Sequence, residues 1–169
     1  MAMPAEDDVS SVPFRRLFIA NRGEIAVRIA RAAQDLGLTA IACYAPDDAT
    51  SLHVKAADEA VALTGSGARA YLDGDGVIAA AKAAGADAIH PGYGFLSENA
   101  GFAEAIAAAG LCFVGPSPSV LSTFGDKAKA RALAAEAGVP LLPGTATDTT
   151  LDEATSFFHS DGHGAIMIK

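Results

Sequence analysis

The sequence predicts an α/β fold built on a mostly parallel, doubly wound sheet, and three observations carry that prediction. Short apolar runs such as Leu17–Ala20, Leu38–Tyr44 and Leu111–Val114 alternate along the chain with amphipathic helical stretches. The runs are mostly apolar, as expected of strands covered by helices on both faces. Glycine or proline punctuates almost every junction, as at Gly23, Gly37, Pro91 and Gly110.

The segment 1–13, MAMPAEDDVSSVP, is acidic and has no basic-then-apolar pattern, so it reads as a flexible tail rather than a signal peptide. Arg15-Arg16 lead into the first strand, and Asn21-Arg22-Gly23-Glu24 makes the turn out of it. The helix from Glu24 to Leu36 is predicted to bury Ile25, Ile29, Ala33 and Leu36. Its outer face carries Glu24, Arg28, Arg31 and Asp35, spaced for Glu24–Arg28 and Arg31–Asp35 pairs. After the second strand, Pro46-Asp47-Asp48 reads as a polar loop, Glu59–Leu63 as a short strand and Thr64–Arg69 as a glycine-rich loop. Asp73–Ala84 reads as a helix with Val77, Ile78 and Ala81 inward.

The stretch Ala88–Pro116 is the informative one. Ala88-Ile89 stops at His90-Pro91, where proline ends the ladder for want of an N–H. Gly92 and Gly94 flank Tyr93, which frees the backbone for positive φ and close approach to a ligand. Ser97 stands at an expected N-cap with Glu98 in the first turn, and Phe102, Ile106 and Ala109 share one helix face. A loop at the carboxyl end of a parallel strand is where open α/β sheets bind ligands. His90 has two readings, a general base or a hydrogen-bonded structural residue; nothing acidic or nucleophilic stands at motif spacing from it.

Beyond Pro116, Ser119–Phe124 reads as a short helix and Asp126 as the cap of a second helix running to Ala137. Leu141–Gly144 reads as an extended connector, Thr149–Ser160 as a helix and Ala165–Lys169 as a strand, with a domain boundary between Pro116 and Pro143. Lys127 lies at a helix N-terminus, where free N–H groups and the helix dipole favour anions, and Lys169 ends an apolar run.

The formal net charge of −8 argues against a broad nucleic-acid or anionic-membrane surface, yet leaves room for a nucleotide. No apolar run approaches the ~20 residues needed to span a bilayer, and a cytoplasmic protein is expected. Cys43 and Cys112 sit in apolar runs without C-x-x-C spacing and read as two buried free thiols. His53, His159 and His163 lack metal-ligand spacing, so no metal site is expected within the chain. Neither Asn21-Arg22-Gly23-Glu24 nor Gly65-Ser66-Gly67 matches the G-x-G-x-x-G dinucleotide fingerprint.

Four blocks carry a resemblance. HPGYGFLSEN (His90–Asn99), FIANRGEIAVRIARAAQDLG (Phe18–Gly37), LHVKAADEAV (Leu52–Val61) and FGDKAKARALAAEAGVPLLPG (Phe124–Gly144) resemble, in order and spacing, the biotin carboxylase domain of acetyl-CoA, propionyl-CoA and pyruvate carboxylases. The resemblance runs from about Phe14 to Lys169 and implies the amino-terminal portion of that domain. It divides the chain into a Rossmann-like domain (14–116), a helical connector (117–143) and the beginning of an ATP-grasp domain (144–169). It implies ATP and bicarbonate as reactants and carrier-bound biotin as acceptor. Mg2+ would be held by residues absent here, and a carboxyltransferase and a biotin carboxyl carrier would be partners. Lys127 and Lys169 match the family's ATP-contacting lysines, and the loop bearing His90, Gly92, Tyr93, Gly94 and Glu98 is implied to frame the carboxylation centre. Arg28, Arg31 and Asp35 match positions at a homodimer interface, with a solvated charged face as the other reading. The family's catalytic residues lie past Lys169, so the chain by itself is expected to be silent. Two alternatives stay open: a non-catalytic assembly module, and another ATP-grasp ligase such as a carbamoyl-phosphate synthetase relative.

Overall fold

The computed structural model describes residues 13–145, 149–160 and 165–166. Five parallel strands form one sheet: β1 (Arg16–Ile19), β2 (Thr39–Tyr44), β3 (Glu59–Ala62), β4 (Ala88–His90) and β5 (Cys112–Phe113). Helices connect them: α1 (Gly23–Asp35), α2 (Leu52–Ala56), α3 (Gly67–Ala70), α4 (Gly74–Ala83) and α5 (Ala100–Ala108). Parallel neighbours need such crossovers, because a tight turn can join only antiparallel strands. The strand order is β3-β2-β1-β4-β5. The chain winds outward from β1 to β3, then returns to the other side of β1, which places a topological switch point between β1 and β4.

Side chains of β1 alternate between two cores, as the two-residue strand period requires. Leu17 and Ile19 pack with Ala40, Ala88 and the inner face of α1, namely Ala26, Ile29, Ala30 and Ala33. Phe18 joins Ile41, Cys43 and Ile89 beneath Val77, Ile78 and Ala81 of α4 and Phe102 and Ile106 of α5. The inward assignment of α4 therefore holds residue by residue.

Several expectations are corrected. On α1, Ala26 and Val27 are buried where Ile25 was expected, and Leu36 is 50% exposed. Leu36 falls past the helix end, where it lines an open groove with Phe14, Ile25, Ile29 and Val114 instead of entering the core. Neither the Glu24–Arg28 nor the Arg31–Asp35 pair forms among the described residues; both are exposed, where pairing gains little over hydration. Cys112 is exposed, since β5 is a short edge strand, whereas Cys43 on a central strand is buried. The Pro46–Asp48 segment is a 3-10 turn that buries Asp48, and the glycine-rich loop contains α3.

The chain divides into two compact units meeting between Leu121 and Ser122, within α6 (Pro118–Gly125). The second unit contains α7 (Lys127–Glu136) and α8 (Leu151–Ser160). Ala165 and Ile166 are in neither helix nor strand, and the remainder of the strand expected at Ala165–Lys169 lies outside the described residues.

Candidate functional site at the sheet switch point

The switch point is built by Asn21, just past β1, and the loop that follows β4. The Ala20 N–H donates to the His90 carbonyl at 2.9 Å, carrying the β1–β4 pairing to the ends of both strands. Asn21 is buried. Its Nδ2 donates to the carbonyls of Pro91 at 2.7 Å and Tyr93 at 2.9 Å, while its Oδ1 accepts from the Arg22 N–H at 2.9 Å. An amide side chain thus supplies the donors that Pro91 and the glycine-flanked loop cannot obtain from a sheet neighbour.

Gly92 has φ +68°, and a Cβ there would lie 2.6 Å from Asn21 Nδ2. Gly94 has φ +65° with open space where its Cβ would stand. Between them Tyr93 is 65% exposed. An aromatic side chain held on a fixed backbone and turned to solvent presents an apolar face with a polar tip to an incoming molecule.

His90 Nδ1 accepts from the Gly92 N–H at 3.0 Å. That bond requires the unprotonated nitrogen, and burial holds the imidazole below its ordinary value. Of the two readings, the geometry supports the hydrogen-bonded structural residue.

Phe95 adopts φ +44°, the left-handed region, and is the only such non-glycine among the described residues. It occupies the first central position of a turn closed by the Ser97 N–H on the Gly94 carbonyl at 2.9 Å. Ser97 is therefore consumed by the turn and does not cap α5. Asn99 does so, its Oδ1 accepting from the Phe102 N–H at 3.0 Å, and exposed Glu98 precedes the helix. Left-handed backbone costs a residue with a Cβ about 1 kcal/mol or more. The Phe95 ring stacks on Tyr71 with centroids 5.4 Å apart and planes 22° from parallel, a contact that contributes roughly 0.5–1.5 kcal/mol beyond burial.

Tyr71 belongs to a polar network that sequence reasoning missed. Its hydroxyl donates to Asp48 Oδ2 at 2.8 Å and accepts from the Ala45 N–H at 3.1 Å. Arg22 binds the same carboxylate in bidentate fashion, Nε to Oδ2 at 2.7 Å and Nη2 to Oδ1 at 2.6 Å, and its guanidinium lies 5.9 Å from the Tyr71 ring centroid. The Arg22 hydrogen bonds hold the Asp48 carboxyl below its usual range, and burial pushes the Tyr71 phenol up. The only sequence signal was a pair of aspartates just past a strand end; nothing local tied Asp48 to Arg22 or Tyr71.

Other expected site residues lie elsewhere. Arg28, Arg31 and Asp35 are exposed on α1. Lys127 is the first residue of α7, exposed and without an ion pair among the described residues. The free N–H groups expected beside it are partly taken, because Asp126 Oδ1 accepts from Ala128 at 3.0 Å and Lys129 at 3.1 Å. An anion there would meet the Lys127 ammonium and not an open helix end. Lys169 lies outside the described residues. Among the described residues no cluster of three or more His, Cys, Asp or Glu could hold a metal ion, and no helix is long and apolar enough to cross a membrane.

A doubly wound parallel sheet with a glycine-bearing loop clamped at its switch point places the chain in the class of open-sheet α/β domains. Residues 13–121 match the family described as "Biotin carboxylase, N-terminal domain". The chain belongs to that family. It is 50% identical over 149 residues to the biotin-dependent acyl-coenzyme A carboxylase alpha3 subunit of Mycobacterium leprae, covering 87% of this chain and 25% of that protein. It is 48% identical over 159 residues to human mitochondrial pyruvate carboxylase, covering 92% of this chain and 13% of that protein. Among solved structures, the biotin carboxylase domain of a single-chain bacterial carboxylase superposes with a TM-score of 0.86 at 59% identity, covering 92% of this chain and 36% of that one. The chain thus spans a quarter or less of the length of these curated relatives.

Proposed function

We propose that this chain is the amino-terminal part of a biotin carboxylase, the ligase that carboxylates carrier-bound biotin at the expense of ATP with bicarbonate as carbon source. The observation that carries this reading is the clamped loop at the switch point, where Asn21 fixes the backbone on both sides of Gly92 and leaves Tyr93 exposed. In this reading Tyr93, with Gly92 and Gly94, forms one wall of the carboxylation centre, and His90 and Asn21 hold that wall still. ATP supplies the phosphoryl group that activates bicarbonate.

The residues of this chain fit the nucleotide in part. Lys127 offers an exposed ammonium with no ion pair among the described residues, and Lys169 is proposed as its companion. Residues for Mg2+ and bicarbonate are proposed to lie past Lys169, as are the groups that perform the chemistry. The 169-residue chain is therefore proposed to be inactive alone. A biotin carboxyl carrier, a carboxyltransferase and a homodimeric partner engaging Arg28, Arg31 and Asp35 belong to the same proposal, as does a cytoplasmic location. The final carboxyl acceptor would be set by the carboxyltransferase.

The test is a domain replacement. Residues 13–121 replace the matching segment of an active, full-length biotin carboxylase, and bicarbonate- and biotin-dependent ADP release is measured. Activity within about tenfold of the parent, a barrier change near 1.4 kcal/mol, is expected. A soluble, folded chimera that binds ATP but releases no ADP would overturn the reading in favour of a non-catalytic module.

A further inference from the structure

The stacked pair Tyr71 and Phe95 joins the polar network around Asp48 to the loop that carries Tyr93. Phe95 sits inside the turn that follows Tyr93 and needs a left-handed backbone to close it. Tyr71, at the end of α3, is buried, and both functions of its hydroxyl are satisfied: it donates to Asp48 and accepts from Ala45. Two hydrogen bonds at its hydroxyl end and burial of the ring restrain Tyr71, so it offers Phe95 a defined surface to stack on. Asp48 is fixed in turn by both nitrogens of the Arg22 fork, and Arg22 is the residue after Asn21. The turn after β1 therefore holds the Tyr93 loop twice: directly through Asn21, and at the far side of Tyr93 through Arg22, Asp48, Tyr71 and Phe95.

We propose that Arg22, Asp48 and Tyr71 are positioning residues for the Tyr93 loop, setting the left-handed Phe95 turn through the Tyr71 ring. Their bearing on turnover rests on the carboxylase reading; their action on the loop does not. None of the three reaches Tyr93 itself. They define where the loop re-enters the fold, as Asn21 defines where it leaves.

Nuclear magnetic resonance on the 169-residue chain tests this with two variants, Tyr71→Phe and Arg22→Gln. Tyr71→Phe removes only the hydroxyl. Arg22→Gln changes a side chain that is 47% exposed, so it opens no cavity and keeps the test decisive should Tyr71→Phe fail to fold. Three readouts are followed: exchange of the Ser97 amide, the three-bond coupling that reports φ at Phe95, and the carboxyl titration of Asp48. In both variants the Ser97 amide should exchange about three- to tenfold faster, the factor corresponding to one lost hydrogen bond. The Phe95 coupling should move away from its positive-φ value, while exchange in β1 and α1 stays unchanged. In Arg22→Gln the Asp48 titration should also move up. Ser97 exchange and Phe95 coupling identical to the parent would overturn the proposal. So would equal acceleration of every core amide, which marks a loss of global stability and not of loop position. No readout involves ATP or biotin, so this outcome is independent of the domain replacement.

Discussion

The Asn21 amide and the Gly92 α-carbon occupy adjoining space with no room for another atom: a Cβ on Gly92 would come within 2.6 Å of Asn21 Nδ2. The same nitrogen donates to the carbonyls on either side of Gly92. Glycine is needed here both for its φ of +68° and for the close approach.

Gly92→Ala should therefore destabilise the chain by about 2 kcal/mol or more, combining left-handed strain with a displaced Asn21. Asn21→Ala removes two donors from buried or part-buried carbonyls and should cost about 1–3 kcal/mol. Because the residues touch, the double variant should be less destabilised than the sum, as read by urea unfolding of all three proteins. Additivity would show that the contact is not what constrains Gly92.

Tyr93→Ala should behave in the opposite way. The side chain is 65% exposed, so the melting temperature should shift by no more than a degree or two, within the ±0.5 kcal/mol usual for surface sites. If the carboxylase reading is right, the same change in the active chimera lowers biotin-dependent turnover. A large drop in melting temperature with turnover intact would make Tyr93 structural.

The two thiols should separate cleanly. Cys43 is buried, its Sγ 3.2 Å from the Ile19 carbonyl, and burial pushes its thiol up to about 12. Cys112 is exposed. A thiolate-directed reagent at neutral pH should modify Cys112 in the native protein and reach Cys43 only after denaturation. Equal labelling of both in mild buffer would mean that the β1–β2 core opens.

Stability should fall with pH in two stages. Burial holds His53 and His90 below the ordinary imidazole value. His53 Nε2 lies 3.3 Å from the Cys43 carbonyl, and its Nδ1 has no hydrogen-bond partner among the described residues; the charged groups influencing it are Asp48 and Arg22. Near the unfolded imidazole value of ~6.5 the unfolded chain takes the proton first, so stability is full above that pH and declines below it. Asp48 has the lowered value of a paired carboxylate; its contribution holds above about pH 4 and is lost as pH falls through its folded value. Melting temperatures of the parent and His53→Gln between pH 8 and about pH 3 check both stages. The variant should show a shallower first decline, with the remainder due to His90. An unchanged first decline would remove His53 from the account.

The sequence by itself determined the layered α/β class, the inward faces of α4 and α5, the Asp126 cap and the glycine loop after β4. Each of these is a local pattern: a continuous apolar run, a helical period, or a residue whose backbone chemistry permits one conformation. It also carried the family resemblance in four ordered blocks, because those blocks include residues such as Gly92 that the backbone itself constrains. Tertiary structure decided what lay between elements. Strand order placed Asn21 beside Pro91 and Gly92, some 70 residues away in sequence. It buried Asp48 in what reads as a polar loop and joined it to Arg22 and Tyr71, and it gave Ser97 to a turn and the α5 cap to Asn99. It sent Cys112 to an exposed edge while identical thiol chemistry at Cys43 was enclosed. Hydrogen-bond partners and burial are properties of packed neighbours, and a periodic pattern names a face without naming what will cover it.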